Sequence, residues 1–347
     1  MMNSTRWALT ILLAACVVSA AAQTVERRQV GQMVLEDVPV WDKAVRARML
    51  QYLQLRSASL NGLNDDGSEM LVSTRFGSVS QLHRITQPMG ARRQITFFDE
   101  PVGGTIIPGT GGKRLLYAKD AGGNENTQFF VMDLETGRHT MLTDGESRNS
   151  SAVISRSGRY IAFSGTARNG RDFDVYTVDL SGDLKPKLAL EVSGNYYCSE
   201  FSPDESRLLV MQYVSAKETN WFVLDVRSGQ HVQITPATAP TYYGGGAWNR
   251  DASAVYLTSD RGGEFRKLYR FDLDYNKWTC LTGDIDWDVS AVAVEPTGKG
   301  IAYVTNEDAM STLYFADEWG NGRKVISSVP PGRIRGIMFA PQGGVLG

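Results

Sequence analysis

From about residue 57 onward, short apolar runs alternate with polar turns in a fixed order. Two neighbouring stretches carry the same grammar: SSAVISRSGRYIAFSGTARNGRDFDVYTVDLSGDLKPKLAL and SEFSPDESRLLVMQYVSAKETNWFVLDVRSGQHVQIT. Each has an apolar run, a polar turn, a β-rich run, a loop, a run ending in Asp, a second turn and a last short run. The first turn recurs at Gly67, Gly112, Gly158, Glu205, Ala252, Gly298 and Gly343, at separations of 45, 46, 47, 47, 46 and 45 residues. The Asp that closes the third run recurs independently at Asp133, Asp179, Asp225, Asp272 and Asp317, at separations of 46, 46, 47 and 45. A period of roughly 40–50 residues with four strand signals per unit predicts the blades of a β-propeller. Val, Ile, Tyr and Phe suit pleated, half-buried strands, and the Gly-bearing pairs supply the turns between them. The fold class is therefore all-β, with six complete repeats and the start of a seventh.

The blades are expected at about 57–97, 104–143, 150–190, 196–235, 244–282 and 289–328. RIRGIMFAPQGGVLG then opens the seventh unit. Before the repeats, Met1 to Ala22 has a basic start at Arg6, an apolar run over Trp7–Val18 and a small-residue cleavage site at Ala20–Ala22. This is the pattern of an export signal, too short and wrongly flanked for a membrane span. Leu13-Ala14-Ala15-Cys16 offers a second processing route, in which Cys16 carries a lipid anchor. Both routes place the mature chain in the periplasm or outside the cell. Residues 23–54 form an extension in which Trp41, Val45, Met49 and Leu53 have helical spacing and predict a short packing helix.

Composition changes this picture little. The 347 residues are 42% hydrophobic and 21% charged, with a formal net charge of −2, which is ordinary for a soluble domain and gives no electrostatic footprint for nucleic acid. Beyond Cys16 the chain keeps Cys198 and Cys280, which either form a bridge in an oxidising compartment or stay as buried thiols. No metal-ligand spacing and no cofactor motif is present.

Candidate binding residues are few. TYYGGGAWN places Tyr242, Tyr243 and Trp248 beside three glycines. These aromatics either line the central channel or belong to a tight entry where Gly lets backbones approach. The loop GGNENTQFF carries Glu125, a candidate for a polar ligand, without the ligand pattern of a calcium loop. Asp284, Asp286 and Asp288 alternate near another loop, as a cation site or as a solvated edge.

RSASLNGLNDDGSEMLVSTRFGSVSQLHRITQPMGARRQITFFDEPV resembles the first blade of exported peptidases of the prolyl oligopeptidase (S9) family. DAGGNENTQFFVMDLETGRHTMLTDGESRN and the SGRYIAFSGTARNGRDFDVYTVDL that follows resemble it too. Past the third blade the likeness thins toward the repeat of TolB-like propellers. The resemblance implies a propeller followed by an α/β-hydrolase domain carrying a serine nucleophile on G-x-S-x-G. This sequence has no G-x-S-x-G, and His83, His139 and His231 all fall within blades, so no catalytic residue carries over. The resemblance implies a propeller that gates access of peptide substrates to a C-terminal hydrolase domain absent from this chain. It has no Glu-Glu pair of the kind that anchors the substrate amine in the family's dipeptidyl peptidases. On this reading the chain is the N-terminal part of a longer serine peptidase. The alternative is a standalone TolB-like binding or scaffold propeller.

Overall fold

The structure, a computed structural model, describes residues 25–347 except 238. The expected leader at 1–22, with its candidate anchor Cys16, lies outside them. Two compact units divide at Leu55/Arg56.

In the first unit, β1 (Arg27–Val30) and β2 (Met33–Glu36) form an antiparallel hairpin that turns at Gly31, whose φ is 60°. The hairpin was not foreseen in the sequence. The expected helix is α1 (Lys43–Leu53), started by Asp42, whose carboxylate accepts from the Ala44 and Val45 N–H groups. An Asp in that position satisfies donors that the first turn leaves unpaired.

The second unit is the propeller. Among the described residues it holds six four-stranded antiparallel sheets, each a simple meander. They are β3–β6 (Ala58 to Gln94), β7–β10 (Gly103 to Met141), β11–β14 (Asn149 to Leu190), β15–β18 (Asn195 to Gln233), β19–β22 (Tyr243 to Cys280) and β23–β26 (Asp288 to Val325). First strands of neighbouring blades approach one another, so they form the innermost ring around the channel. The middle of each second strand is buried. Ile161, Leu208, Val255 and Ile301 are each 0% exposed, in clusters that bridge one blade to the next. Each sheet thus buries the face of its neighbour, the arrangement a lone four-stranded sheet cannot achieve.

The two sequence landmarks have separate physical causes. All seven turn residues, Gly67, Gly112, Gly158, Glu205, Ala252, Gly298 and Gly343, have positive φ, between 62° and 85°. The tight turn between first and second strands requires the left-handed region, which Gly occupies without cost and Glu205 and Ala252 tolerate. The Asp landmark closes the turn between third and fourth strands. Asp133 Oδ1 accepts from the Glu135 and Thr136 N–H groups, and Asp225 Oδ1 from Arg227 and Ser228. Such side-chain-to-backbone bonds are what makes Asp a turn residue.

Contacts between the first turns run right round the ring. Asp65 Oδ1 accepts from Gly109 N–H at 2.7 Å. Gly158 lies so close to the Pro108 carbonyl that a Cβ there would sit 2.1 Å from it. Glu205 Oε1 accepts from Ser157 N–H at 2.6 Å, and Arg207 donates to the Ala252 carbonyl at 2.8 Å. The Arg250 side chain covers Gly298. Glu295 Oε1 accepts from Gly344 N–H at 3.1 Å, and Gln342 N–H donates to the Asp65 carbonyl at 2.9 Å. The seventh repeat is the last link. Its Ile334, Ile337, Phe339 and Leu346 pack on blade 6, while Val345 meets Gly67 of blade 1. Arg156 of blade 3 reaches the Pro296 carbonyl of blade 6 at 3.5 Å, so its side chain spans the channel on the same face.

Candidate functional site at the loop face of blades 4 to 6

The connections from second to third strands, and from one blade to the next, share the opposite face of the propeller. On that face a cavity of about 400 Å³ is lined by Ala216, Tyr242, Asp260, Glu264, Arg266 and Asp288. Three blades contribute to it. Tyr242 immediately precedes β19, Asp260 and Glu264 lie in the loop after β20, and Asp288 begins β23.

The cavity is held by a polar frame. Arg266 makes a two-pronged ion pair with Asp288, Nε at 3.3 Å and Nη2 at 3.0 Å from Oδ2. The same guanidinium lies 5.7 Å from the Tyr242 ring centroid. Asp260 Oδ1 accepts from the Tyr242 N–H at 3.2 Å. With Arg266 committed to Asp288, Asp260 and Glu264 leave the cavity with excess negative charge. That arrangement suits a cationic or amine-bearing group, with the Tyr242 ring as an apolar wall.

Of the sequence candidates, only Tyr242 and Asp288 line this cavity. Tyr243 and Trp248 are each 3% exposed and belong to the core between blades 4 and 5. The Tyr243 carbonyl accepts from Thr219 Oγ1 and Trp221 Nε1. Gly246, between them, faces the Trp221 ring so closely that a Cβ would lie 2.1 Å from it. The glycines therefore serve close approach, and Tyr243 and Trp248 present no ring to a ligand here. Glu125 sits in the exposed loop of blade 2, with φ of 61° and its N–H bonded to Asp120 Oδ2, away from this cavity.

The three aspartates before blade 6 diverge. Asp284 pairs with Arg323, Asp286 with Lys267 at 3.4 Å, and Asp288 with Arg266. Among the described residues no three His, Cys, Asp or Glu side chains converge as metal ligands. Cys198 and Cys280 are both free, as the thiol alternative expects and the bridge does not; Cys198 is buried, whereas Cys280 is exposed, which corrects the expectation of burial there. Cys280 faces outward because it ends an outer strand.

Sequence reasoning missed Arg266, Asp260 and Glu264, which sit in loops where the repeat imposes no residue. It also missed Glu200, at the bulge of β15. Glu200 Oε2 accepts from the Trp248 N–H at 2.8 Å. Low-dielectric surroundings push its carboxyl up to about 7, against the opposing pull of that hydrogen bond and of Arg156.

No protein-family model matches the chain. It is 27% identical over 220 residues to dipeptidyl aminopeptidase BIII of Pseudoxanthomonas mexicana, an alignment covering 59% of this chain and 29% of that protein. The propeller superposes on a prolyl endopeptidase with a TM-score of 0.68 at 13% identity, over 86% of this chain and 47% of the other. On the putative TolB of Agrobacterium tumefaciens it superposes with a TM-score of 0.54 at 17% identity, over 73% of this chain and 91% of the other. The chain thus spans under half the length of the peptidases it matches. It is an all-β propeller with weak sequence similarity to an S9-type peptidase and the fold of the propeller regions of such enzymes, a fold it shares with TolB.

Proposed function

We propose that this chain is the substrate-gating propeller of an exported S9-type serine peptidase, binding short peptides at its loop face and leaving bond cleavage to a hydrolase domain outside this chain. One observation carries the reading: the sequence similarity to a dipeptidyl aminopeptidase extends over 220 residues of a chain built almost wholly of propeller. The loop-face cavity fits the role. Its uncompensated Asp260 and Glu264 match a peptide amino group or basic side chain, and Tyr242 offers a face to an adjoining apolar one. A closed ring of blades admits only slender chains past it, which would exclude folded proteins from a covered active site. No helix among the described residues is long and apolar enough to cross a membrane. The basic and apolar start of the chain supports export.

Joining this propeller to the hydrolase region of the dipeptidyl aminopeptidase tests the gating role. The chimera should cleave short peptides and spare a folded protein that the isolated hydrolase region attacks. A chimera that digests both alike would refute gating. A second reading, a standalone scaffold, is favoured by the coverage of 91% of the TolB chain. It predicts a stable envelope complex and no affinity for free peptides.

A further inference from the structure

A cavity of about 500 Å³ lies on the outer flank between blades 2 and 3, away from the loop-face site. Its volume is that of a small-molecule pocket. Tyr176 forms the floor, its ring backed by the buried Phe163 at 5.5 Å with an interplanar angle of 16°. Met141, 47% exposed at the end of β10, closes one side with a soft and adaptable side chain.

The rim carries charge of both signs. Asp144 is fixed on one side, its Oδ1 accepting from Glu146 N–H at 3.0 Å, Ser147 N–H at 2.9 Å and Ser147 Oγ at 2.8 Å. On the other side Lys185 has no ion-pair partner among the described residues. Between Lys185 and the floor stands Leu184, with φ of 60°. A branched apolar residue in the left-handed region is strained, and such strain persists only where the surroundings enforce it. Here the Leu184 side chain packs on the core shared by blades 2 and 3, which holds the loop and Lys185 over the opening.

We infer that this pocket binds a small aromatic zwitterion, an aromatic amino acid or a dipeptide bearing one. The ring packs on Tyr176, the carboxylate meets Lys185 and the ammonium meets Asp144. Lys185 is the one cation among the lining residues, and Asp183, two residues before it, stands beside Asp144 as a second carboxylate for the ammonium. This inference is independent of the peptide-gating reading, since the two cavities share no residue.

Isothermal titration of the purified chain with L-tryptophan tests it, with tryptamine as the ligand lacking a carboxylate. The expected dissociation constant for L-tryptophan is on the order of 0.1–1 mM, with tryptamine several-fold weaker. Ala167→Trp, which fills the pocket from an exposed rim position, should weaken binding at least ~10-fold, with the thermal melt as a control for folding. Lys185→Ala, at an exposed position, should weaken L-tryptophan about 3–10-fold and leave tryptamine unchanged. Should Ala167→Trp fail to fold, Lys185→Ala decides alone. No binding at ~5 mM L-tryptophan, or binding that neither variant alters, would overturn the assignment.

Discussion

The backbone N–H of Gln342 donates to the carbonyl of Asp65 at 2.9 Å, joining the seventh repeat to the first blade. The two residues are far apart in sequence, yet this bond completes the chain of turn-to-turn contacts that runs through all six blades. Ala340, which opens the turn behind Gln342, is 0% exposed. The last residues of the chain are thus part of the ring's packing.

Gly343 carries this closure. Its φ is 79°, and a Cβ there would lie 2.1 Å from Glu295 Oε1, the oxygen that accepts from Gly344. Gly343→Ala should therefore destabilise the propeller by about 1–3 kcal/mol, through both the backbone conformation and the displaced carboxylate. Urea unfolding followed by circular dichroism reads this as a lower midpoint at an unchanged slope.

Glu200 predicts a pH dependence of definite sign. Its folded carboxyl is raised to about 7 from an ordinary value of 4.5. The native state therefore holds this proton more tightly than the unfolded chain does. The stability linked to it is complete below about pH 4.5 and is lost as pH rises toward 7. Glu200→Gln keeps an acceptor for the Trp248 N–H and removes the titration. The melting temperature of the variant should gain on the wild type between pH 5 and pH 8. Parallel curves across that range would contradict the assignment.

The two thiols should separate kinetically. Burial pushes Cys198 up to about 12, and its thiol also contacts Ser164 Oγ at 3.6 Å, whereas Cys280 is exposed. In the native protein a disulfide reagent should label Cys280 within minutes and leave Cys198 until the protein unfolds. Peptide mapping after a short pulse distinguishes the two.

These predictions also mark what the sequence could convey. Blade number and strand order were legible because two unrelated turn chemistries recur, positive φ at Gly158 and its equivalents in all seven units and the side-chain cap of Asp179 and its equivalents in blades 2 to 6. Each leaves a residue type at a fixed position. The loop-face cavity left no such trace. Arg266 and Asp260 lie in one loop whose residues the fold does not dictate, and the cavity they line forms only where blades 4, 5 and 6 converge. Tyr243 and Trp248 stayed open between two readings for the converse reason. Aromatics beside glycines suit a ligand channel and a close-packed core equally well, and only burial separates the two. The hairpin Arg27–Glu36 was passed over because a four-residue strand is too short to establish alternation.

The most direct test of peptide recognition at the loop face is equilibrium binding of a labelled, unblocked short peptide to the purified chain, with Tyr242→Ala beside it. The account predicts a dissociation constant of about 10 µM–1 mM, weakened by blocking the peptide's amino group and weakened about 5- to 30-fold by the substitution. A folded wild-type protein that binds no such peptide, or binds it equally well without Tyr242, would contradict the account.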